Sequence, residues 1–142
     1  MSNEASIKEA LESAGIEIYR STPGEVHVAE RVRLHIMDSG VRVLASGDQV
    51  AVRFTARSQR SDFPNGDSNA LFLRVREDVG SRAEERGYEE TETAVREVKD
   101  PVDEARVLDV WHEVVYEKTT DDENLVDEVR WALSVEKYVA TE

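Results

Sequence analysis

Apolar and polar residues alternate with a period of two between residues 16 and 56. The stretches IEIYR, EVHVAERVRLHIMD, VRVLAS and QVAVRFTARS follow this pattern, and turn-forming residues separate them at 23–24, 38–40 and 47–48. Alternation sends successive side chains to opposite faces of a strand. The pattern predicts an antiparallel meander of three or four strands. Its core side consists of Ile16, Ile18, Val26, Val28, Val32, Leu34, Ile36, Val41, Val43, Val50, Val52, Phe54 and Ala56.

Three other stretches have the apolar spacing of amphipathic helices. SIKEALESAG ends on Gly15, and residues 69–86 carry apolar residues at steps of three and four before Gly87. Gly80 is the weak point of that second helix, and a strand over LFLRVR stays open as an alternative. The third helix lies in DDENLVDEVRWALSVEKYV, with Thr120 or Asp121 as its cap. Its inward stripe consists of Leu125, Val129, Ala132 and Leu133.

Two further alternating stretches, YEETETAVREVKD and RVLDVWHEVVYEKT, flank Pro101 and predict a hairpin. On the second strand, one set of side chains faces the core: Leu108, Val110, His112, Val114 and Tyr116. The elements then follow in the order α-β-β-β-α-β-β-α. This order predicts an α+β fold in which an antiparallel sheet of about five strands packs on helices, within a single domain covering residues 1–142.

This order of elements resembles the fold of type III secretion chaperones and of the related bacterial sensory-transduction regulators. The likeness rests on IKEALESAGIEI as helix and first strand and on TTDDENLVDEVRWAL as last turn and helix. It covers nearly the whole chain but includes no catalytic motif. The resemblance implies a homodimeric protein-binding module without enzymatic activity. A largely basic solvent-side stripe on the sheet departs from what the family predicts.

Composition limits the cellular environments and the kinds of site that we expect for the protein. No apolar stretch approaches the roughly 20 residues that a membrane-spanning helix needs, and the acidic start differs from a signal peptide. We therefore expect a cytoplasmic protein with no membrane contact. The chain has no cysteine, which excludes disulfides, thiol nucleophiles and thiolate metal sites.

The net charge is −13, and arginine greatly outnumbers lysine among the 18 cationic residues. An excess of carboxylates suits a cytoplasm of concentrated salt, because salt screens their mutual repulsion and hydrated carboxylates keep the surface soluble. The chain is thus interpreted as the protein of a halophilic host. A GC-rich genome, in which arginine codons replace lysine codons, is the alternative.

His112 and Glu113 raise the question of a zinc site of the HExxH type. The fifth position is Tyr116 instead of histidine, and on a strand His112 and Glu113 face opposite sides of the sheet. The sequence therefore predicts no metal and no cofactor. His112 is either a hydrogen-bonded residue at the edge of the core or, together with Tyr116, part of a small ligand pocket.

Two surfaces are candidates for partner binding. The first is the outer face of the last long strand, where an apolar stripe is formed by Val107, Trp111 and Val115; the alternative is that the monomer itself covers this stripe. The second is a cationic sheet face. It is formed by His27, Arg31, Arg33, His35, Arg42, Arg53 and Arg57.

The cationic face admits three readings: pairing with the glutamates of the chain, binding of an acidic protein, or binding of nucleic acid. Nucleic acid is disfavoured because the chain is acidic and only Tyr19 is placed to stack on a base. No nucleophile, phosphate-loop or dinucleotide motif occurs. The sequence favours a non-enzymatic protein-binding or chaperone-like homodimer, with a small-ligand or sensory domain as the alternative.

Overall fold

The computed structural model describes residues 3–139 and shows an α+β fold in which a sheet of seven strands is accompanied by helices. Strands β1 to β6 have the spatial order β1-β2-β3-β4-β6-β5, and β7 pairs with β4 in parallel. The pairs β1–β2, β2–β3 and β3–β4 are antiparallel. The elements are α1 (Glu4–Ser13), β1 (Ile18–Thr22), β2 (Glu25–Val32), β3 (His35–Ser46), β4 (Gln49–Gln59), α2 (Ser68–Val75), α3 (Ser81–Glu85), β5 (Glu89–Lys99), β6 (Val107–Thr120), α4 (Leu125–Ser134) and β7 (Tyr138–Val139).

The predicted α+β class is confirmed, but the predicted count and order of strands are wrong in detail. Four strands precede α2 instead of three, and β7 follows α4. Strand β7 has only two residues, which is too short to show a period of two. The four alternating stretches allowed four strands here, but the second turn lies at Arg33 and Leu34 instead of at 38–40.

The chain divides into two compact units. The first unit consists of the residues up to Phe54 together with Glu117–Val135, and the second consists of Thr55–Tyr116 together with the residues from Glu136 onward. Strands β4 and β6 each contribute to both units. The prediction of a single domain stays a prediction.

In the first unit, α1 and α4 both contact β3. A capping box between Asn3 and Ser6 starts α1. Both helices bury an apolar stripe, as predicted, although α4 begins after Asn124 instead of Thr120 or Asp121. The Asp121 carboxylate instead accepts a hydrogen bond from the backbone N–H of Asn124 at 2.9 Å. The buried apolar residues include Ile7, Leu11, Val26, Val28, Val41, Val43, Val50, Val52, Phe54, Leu125, Val129 and Ala132.

The β2–β3 hairpin differs from the predicted meander. The chain reverses at Arg33 and Leu34, where Val32 pairs with His35. The predicted turn at 38–40 is instead a bulge inside β3, because His27 pairs with Arg42 whereas Ala29 pairs with Asp38. The Ser39 hydroxyl donates to the carbonyl of Val28 at 2.6 Å and holds this bulge.

This hairpin geometry corrects the predicted core side. Val32, Leu34 and Ile36 are 44%, 93% and 49% exposed, so none of the three belongs to the core. The error arises because the stretch 25–38 reads as one alternating strand. In the protein this stretch contains β2, a turn and the start of β3, and the turn end extends beyond β1 and β4.

In the second unit, α2 and α3 are joined by a π-helical segment, Arg76–Gly80, into one helical rod that confirms the predicted helix over 69–86. The Asp67 side chain caps the rod by accepting from the N–H of Ala70 at 2.8 Å. The rod buries Leu71, Val75, Val79 and Ala83. Gly80 lies in the π-helical turn, where a Cβ atom would meet the Tyr116 hydroxyl at 2.6 Å.

The β5–β6 hairpin around Pro101 is present as predicted. On β6, His112, Val114 and Tyr116 are buried, and Val110 is half-buried. Leu108 is 50% exposed, so the predicted core face of this strand begins later than expected. The first residues of β6 extend past the buried part of the unit.

Candidate functional site

The distal part of the β2–β3 hairpin, residues 30–37, is here called the arm. Strand β1 pairs with β2 only as far as Val28, and β4 pairs with β3 only from Arg42 onward. The arm residues therefore pair with each other but not with β1 or β4 in the registers described. All eight arm residues are exposed. The arm is a two-stranded ribbon that extends past the sheet of the first unit.

Apolar side chains occupy both faces of the arm. Directly opposite residues share a face, so Val32 and Met37 lie on one face and Ile36 lies on the other. Leu34 occupies the tip and is 93% exposed. Large apolar side chains that cluster on a projecting element are unusual for a surface that contacts only water.

The backbone at the tip is strained. Arg33 has a φ angle of 59°, the left-handed conformation that a side chain with a Cβ atom rarely adopts. Such a conformation costs about 1 kcal/mol relative to glycine, and strain of this kind clusters at functional sites. The strained turn keeps the Arg33 cation and the Leu34 side chain together at the end of the arm.

Three of the predicted cationic residues are paired with carboxylates of the first unit. Arg31 contacts Glu17 at 2.5 Å, Arg42 contacts Asp38 at 2.7 Å, and Arg53 contacts Glu117 at 2.7 Å. These pairs correspond to the reading in which arginines pair with the acidic residues of the chain. Their charge is locally balanced, so the predicted cationic face is not continuous. Arg33 and His35 remain exposed on the arm.

The prediction that His27 lies in an exposed row with the arginines is wrong. Its exposed fraction is 8%, and its Nε2 atom lies 3.3 Å from the carboxylate of Glu25. Burial lowers the pKa of His27, and the nearby charge of Arg42 lowers it further against the opposing effect of Glu25. His27 is therefore a structural residue of the sheet.

In the second unit, Arg57 covers the predicted apolar stripe. Its guanidinium carbon lies 3.8 Å from the centroid of the Trp111 ring and 5.5 Å from that of Tyr138. In cation–π stacking of this kind, the face of the aromatic ring attracts the guanidinium. Trp111 is half-buried, Val115 is buried, and only Val107 remains well exposed. Trp111 and Val115 are thus covered within the monomer, which is the alternative that the sequence left open, whereas Val107 is not.

His112 and Tyr116, both of the second unit, are buried. The Nε2 atom of His112 lies 3.0 Å from the Ser68 hydroxyl, and the ring of Phe72 packs edge-on at 5.0 Å between centroids. Tyr116 packs against Gly80, and burial raises the pKa of its hydroxyl to about 12. None of the cavities described here, at 63–74, at 77–82 with 136–139, and at 12–18, is lined by either residue.

The Ser68–His112 pair has the distance of a nucleophile and its base, but it lacks the environment of a catalytic site. His112 is 0% exposed, and its Nδ1 atom has no hydrogen-bond partner within residues 3–139. A catalytic histidine needs a group on Nδ1 that orients it, and it needs access to substrate. The geometry matches an internal hydrogen bond that anchors α2 to β6.

Acid is expected to destabilise the protein through His27 and His112. Burial lowers the pKa of both side chains below the usual 6.5, so the folded state binds fewer protons than the unfolded state. Stability from the neutral rings is then fully present above about pH 6.5, and it is lost as the pH falls from that value through the lowered pKa of the folded state. The thermal midpoint, measured by circular dichroism, should be lower at pH 5.5 than at pH 7.5.

The control for this pH dependence is the third histidine, His35, which is exposed on the arm. In the variant His112→Gln the slope of the midpoint against pH should become flatter, whereas in His35→Gln it should match the wild type. An unchanged slope in His112→Gln would contradict a role for this ring in acid sensitivity.

Strand β5 is an edge strand of the second unit. It stands at the end of the strand order, and its side chains are exposed from Glu89 to Glu97. Natural sheets usually shorten, bend or cover such an edge, because its free N–H and C=O groups can pair with another strand. An exposed edge of 11 residues is therefore a candidate pairing surface, which is here called the β5 edge.

Within residues 3–139, no group of three or more histidine or acidic side chains is arranged to hold a metal ion. In the same part of the chain, every helix is too short or too polar to cross a membrane. No family model, curated protein or solved structure matches this chain.

The structure separates the predicted site residues into distinct roles. Val107 is exposed, Arg57 and Trp111 stack together, and three arginines are paired. Arg31 and Arg33, two of the predicted partner-binding residues, lie on the arm, but the projecting hairpin itself and the β5 edge were not predicted. The available signals were the apolar residues around RVRLHIM, which were assigned to the core, and the charge pattern of EETETAVREVK.

Proposed function

We propose that the chain is a non-enzymatic protein-binding module that holds an acidic segment of a partner protein on its arm. The observation that carries this proposal is the exposure of Leu34 at the tip of a projecting hairpin, at 93%. The salt-adapted acidic surface, the chaperone-like role and the cytoplasmic location belong to the same proposal.

Apolar contact supports a protein as the partner. Val32, Leu34, Ile36 and Met37 are all between 44% and 93% exposed in one short ribbon. Burial of apolar surface stabilises a complex by about 25 cal/mol per Å² of area removed from water. A strained tip that holds Leu34 outward reduces the ordering that binding would otherwise require.

Charge supports an acidic partner. Arg33 and His35 flank Leu34, whereas the chain as a whole has a net charge of −13. Oppositely charged surfaces associate faster and reject like-charged surfaces. The cationic tip of an acidic protein thus favours a segment in which carboxylates alternate with apolar side chains.

Leu34→Asp is expected to abolish capture of the partner. The substitution places a carboxylate at the tip, where it removes the most exposed apolar contact and repels an acidic segment. The wild type, carrying an affinity tag, should retain from a host lysate a partner that the variant loses. The purified partner should then bind the wild type at least tenfold more tightly, measured by calorimetry.

The matched control is Leu73→Asp, because Leu73 is 53% exposed on α2, in the second unit. This control should retain the partner. Equal capture by both variants, or equal affinity of the purified partner for Leu34→Asp and the wild type, would contradict binding through the arm. A retained protein without an acidic segment would contradict the proposed charge preference.

The proposal includes a homodimer formed by antiparallel pairing of two β5 edges. With Ala94 opposite its own copy, Glu92 of one chain lies opposite Arg96 of the other, and Glu89 lies opposite Lys99. Opposite charges in directly facing positions stabilise a pair of strands. Twofold symmetry repeats each of these contacts, so four ion pairs cross the interface.

Neighbouring registers are less favourable. The nearest registers that keep the same side chains on the same face differ by two residues. In one of them Glu89 faces Glu97, which offsets the contact of Glu90 with Arg96, and in the other no facing pair within β5 has opposite charges. Like charges in facing positions destabilise strand pairing. The sequence of β5 thus supports one self-complementary register, as expected for an interface between identical chains.

The absence of a catalytic role is proposed on the geometry of His112. The Ser68–His112 pair is the nucleophile–base contact that the described residues offer, and its histidine is 0% exposed. A reaction at this pair would require the helical rod to move away from β6.

A further inference from the structure

A cavity of about 340 Å³ lies beside the loop that leads into α2, in the second unit. Its walls are mainly apolar and include Phe63, Pro64 and Leu71, and Arg74 also lines it. The volume is at the lower end of the range for small-molecule sites. At about 30 Å³ per position it holds roughly ten non-hydrogen atoms.

The loop that forms the cavity is held by local bonds. The backbone N–H of Gly66 donates to the carbonyl of Phe63 at 3.0 Å, and the Asp67 side chain caps α2. A Cβ atom at Gly66 would lie 2.7 Å from the Cδ1 atom of Leu71. The glycine therefore allows the loop to approach the helix closely, and the cavity is formed before any ligand binds.

Arg74 provides the polar group of this cavity. Its guanidinium lies above the Phe63 ring, with the guanidinium carbon 5.4 Å from the ring centroid. The side chain is 40% exposed and forms an ion pair with Asp78, whose carboxylate lies 3.8 Å from Nε. This distance is too long for a hydrogen bond, so the buried Nε–H has no hydrogen-bond acceptor within residues 3–139. A buried N–H without an acceptor costs free energy, so an anion that accepts from it is favoured.

We propose that this cavity binds a small organic carboxylate with an apolar body. The carboxylate accepts hydrogen bonds from Arg74, whose planar guanidinium matches the two carboxylate oxygens. The apolar body packs against Phe63, Pro64 and Leu71. This binding is independent of the arm and of the β5 edge.

The size and chemistry of the cavity limit the ligand. A monocarboxylate with a phenyl or branched aliphatic body of about ten atoms fits the space. A neutral amide of the same shape cannot form the charge-assisted bonds and should bind more weakly.

The test is a titration of the isotope-labelled full chain with benzoate, phenylacetate and 4-methylpentanoate, followed by NMR. At least one of the three should shift the signals of the Gly66 and Ala70 amides and of Arg74 Nε–H in a saturable manner. Phenylacetamide, the neutral counterpart of phenylacetate, should bind at least tenfold more weakly than the acid.

Arg74→Gln should weaken carboxylate binding at least tenfold, with the amide spectrum verifying that the variant is folded. Arg82→Gln is the matched control, because Arg82 is exposed on α3 of the same helical rod. No saturable shift with any of the three acids, equal binding of the amide, or unchanged binding in Arg74→Gln would each overturn the proposal. Partner capture through Leu34 is measured separately, so failure of one proposal leaves the other intact.

Discussion

Arg96→Glu alone and Glu92→Arg alone are each expected to be monomeric at concentrations where the wild type is dimeric. In the proposed register, the first substitution sets glutamates opposite each other and the second sets arginines opposite each other. Each substitution changes two symmetry-related contacts. At about 1 kcal/mol per contact, the dissociation constant should rise roughly 30-fold.

An equimolar mixture of the two variants should restore the dimer. In the mixed dimer, positions 92 and 96 are both arginine in one chain and both glutamate in the other, so every facing pair is opposite in charge. The double variant with both substitutions should also dimerise with itself. Multi-angle light scattering after size-exclusion chromatography measures the mass of each species.

The charge exchange separates pairing from folding. Arg96 also contacts Glu113 at 3.1 Å within the monomer, so circular dichroism must verify that each variant is folded. Glu85→Arg, an equal change of charge on exposed α3, is the control and should stay dimeric. A monomeric wild type at millimolar concentration, or a mixture that stays monomeric, would contradict pairing through the β5 edge.

Gly80→Ala is expected to lower the free energy of unfolding by about 1–3 kcal/mol, the usual cost of overpacking a core. The new Cβ atom would lie 2.6 Å from the Tyr116 hydroxyl, so either the helix or β6 must shift. Gly80 is buried and lies in the π-helical segment, where the backbone is already adapted to this contact. Alanine would stabilise an ordinary helix at this position, so the expected sign is diagnostic.

Urea unfolding of a double-mutant cycle tests this contact. Removal of the hydroxyl in Tyr116→Phe should reduce the cost of Gly80→Ala by at least half, because the atom nearest the new methyl group is gone. Glu85→Ala, an exposed change on the same rod, should alter stability by less than about 0.5 kcal/mol. Equal stability of Gly80→Ala and the wild type would show that the close approach is absent.

The sequence predicted the elements whose side chains have one buried face. Val52, Phe54 and Ala56 alternate with polar residues on β4, and Leu125, Val129 and Ala132 follow the helical period on α4. All six are buried. Period and burial agree because each of these elements packs on one side only.

The arm could not be predicted from alternation. A two-residue turn between strands normally carries glycine or asparagine, but here Arg33 adopts the left-handed conformation. The glycine at position 40 suggested a turn where the protein has a bulge. The glycine correctly indicated a position with unusual backbone freedom. It could not distinguish a turn from a bulge, because glycine is common in both.

The candidate site residues show the same limit. Alternation places Arg42 and Arg53 outside the core but contains no information on which carboxylate each contacts. Asp38 reaches Arg42 across the bulge, and Glu117 reaches Arg53 from a strand 64 residues later in the chain. His112 was recognised as a core-edge residue because its neighbours alternate, whereas its contact with Ser68 depends on how the rod packs on β6.

The bulge at Ser39 and Gly40 isolates the arm from the sheet of the first unit. Its bonds are local, since the Asp38 carboxylate accepts from the N–H of Gly40 at 2.9 Å and the Ser39 hydroxyl accepts from the N–H of Val41 at 3.1 Å. Equal numbers of residues can therefore be added to or removed from the two strands of the arm while Val41 and Val43 keep their places. In the proposed binding mode, residues of the hairpin end can therefore be exchanged to change the preferred partner without a change in the buried residues of the sheet.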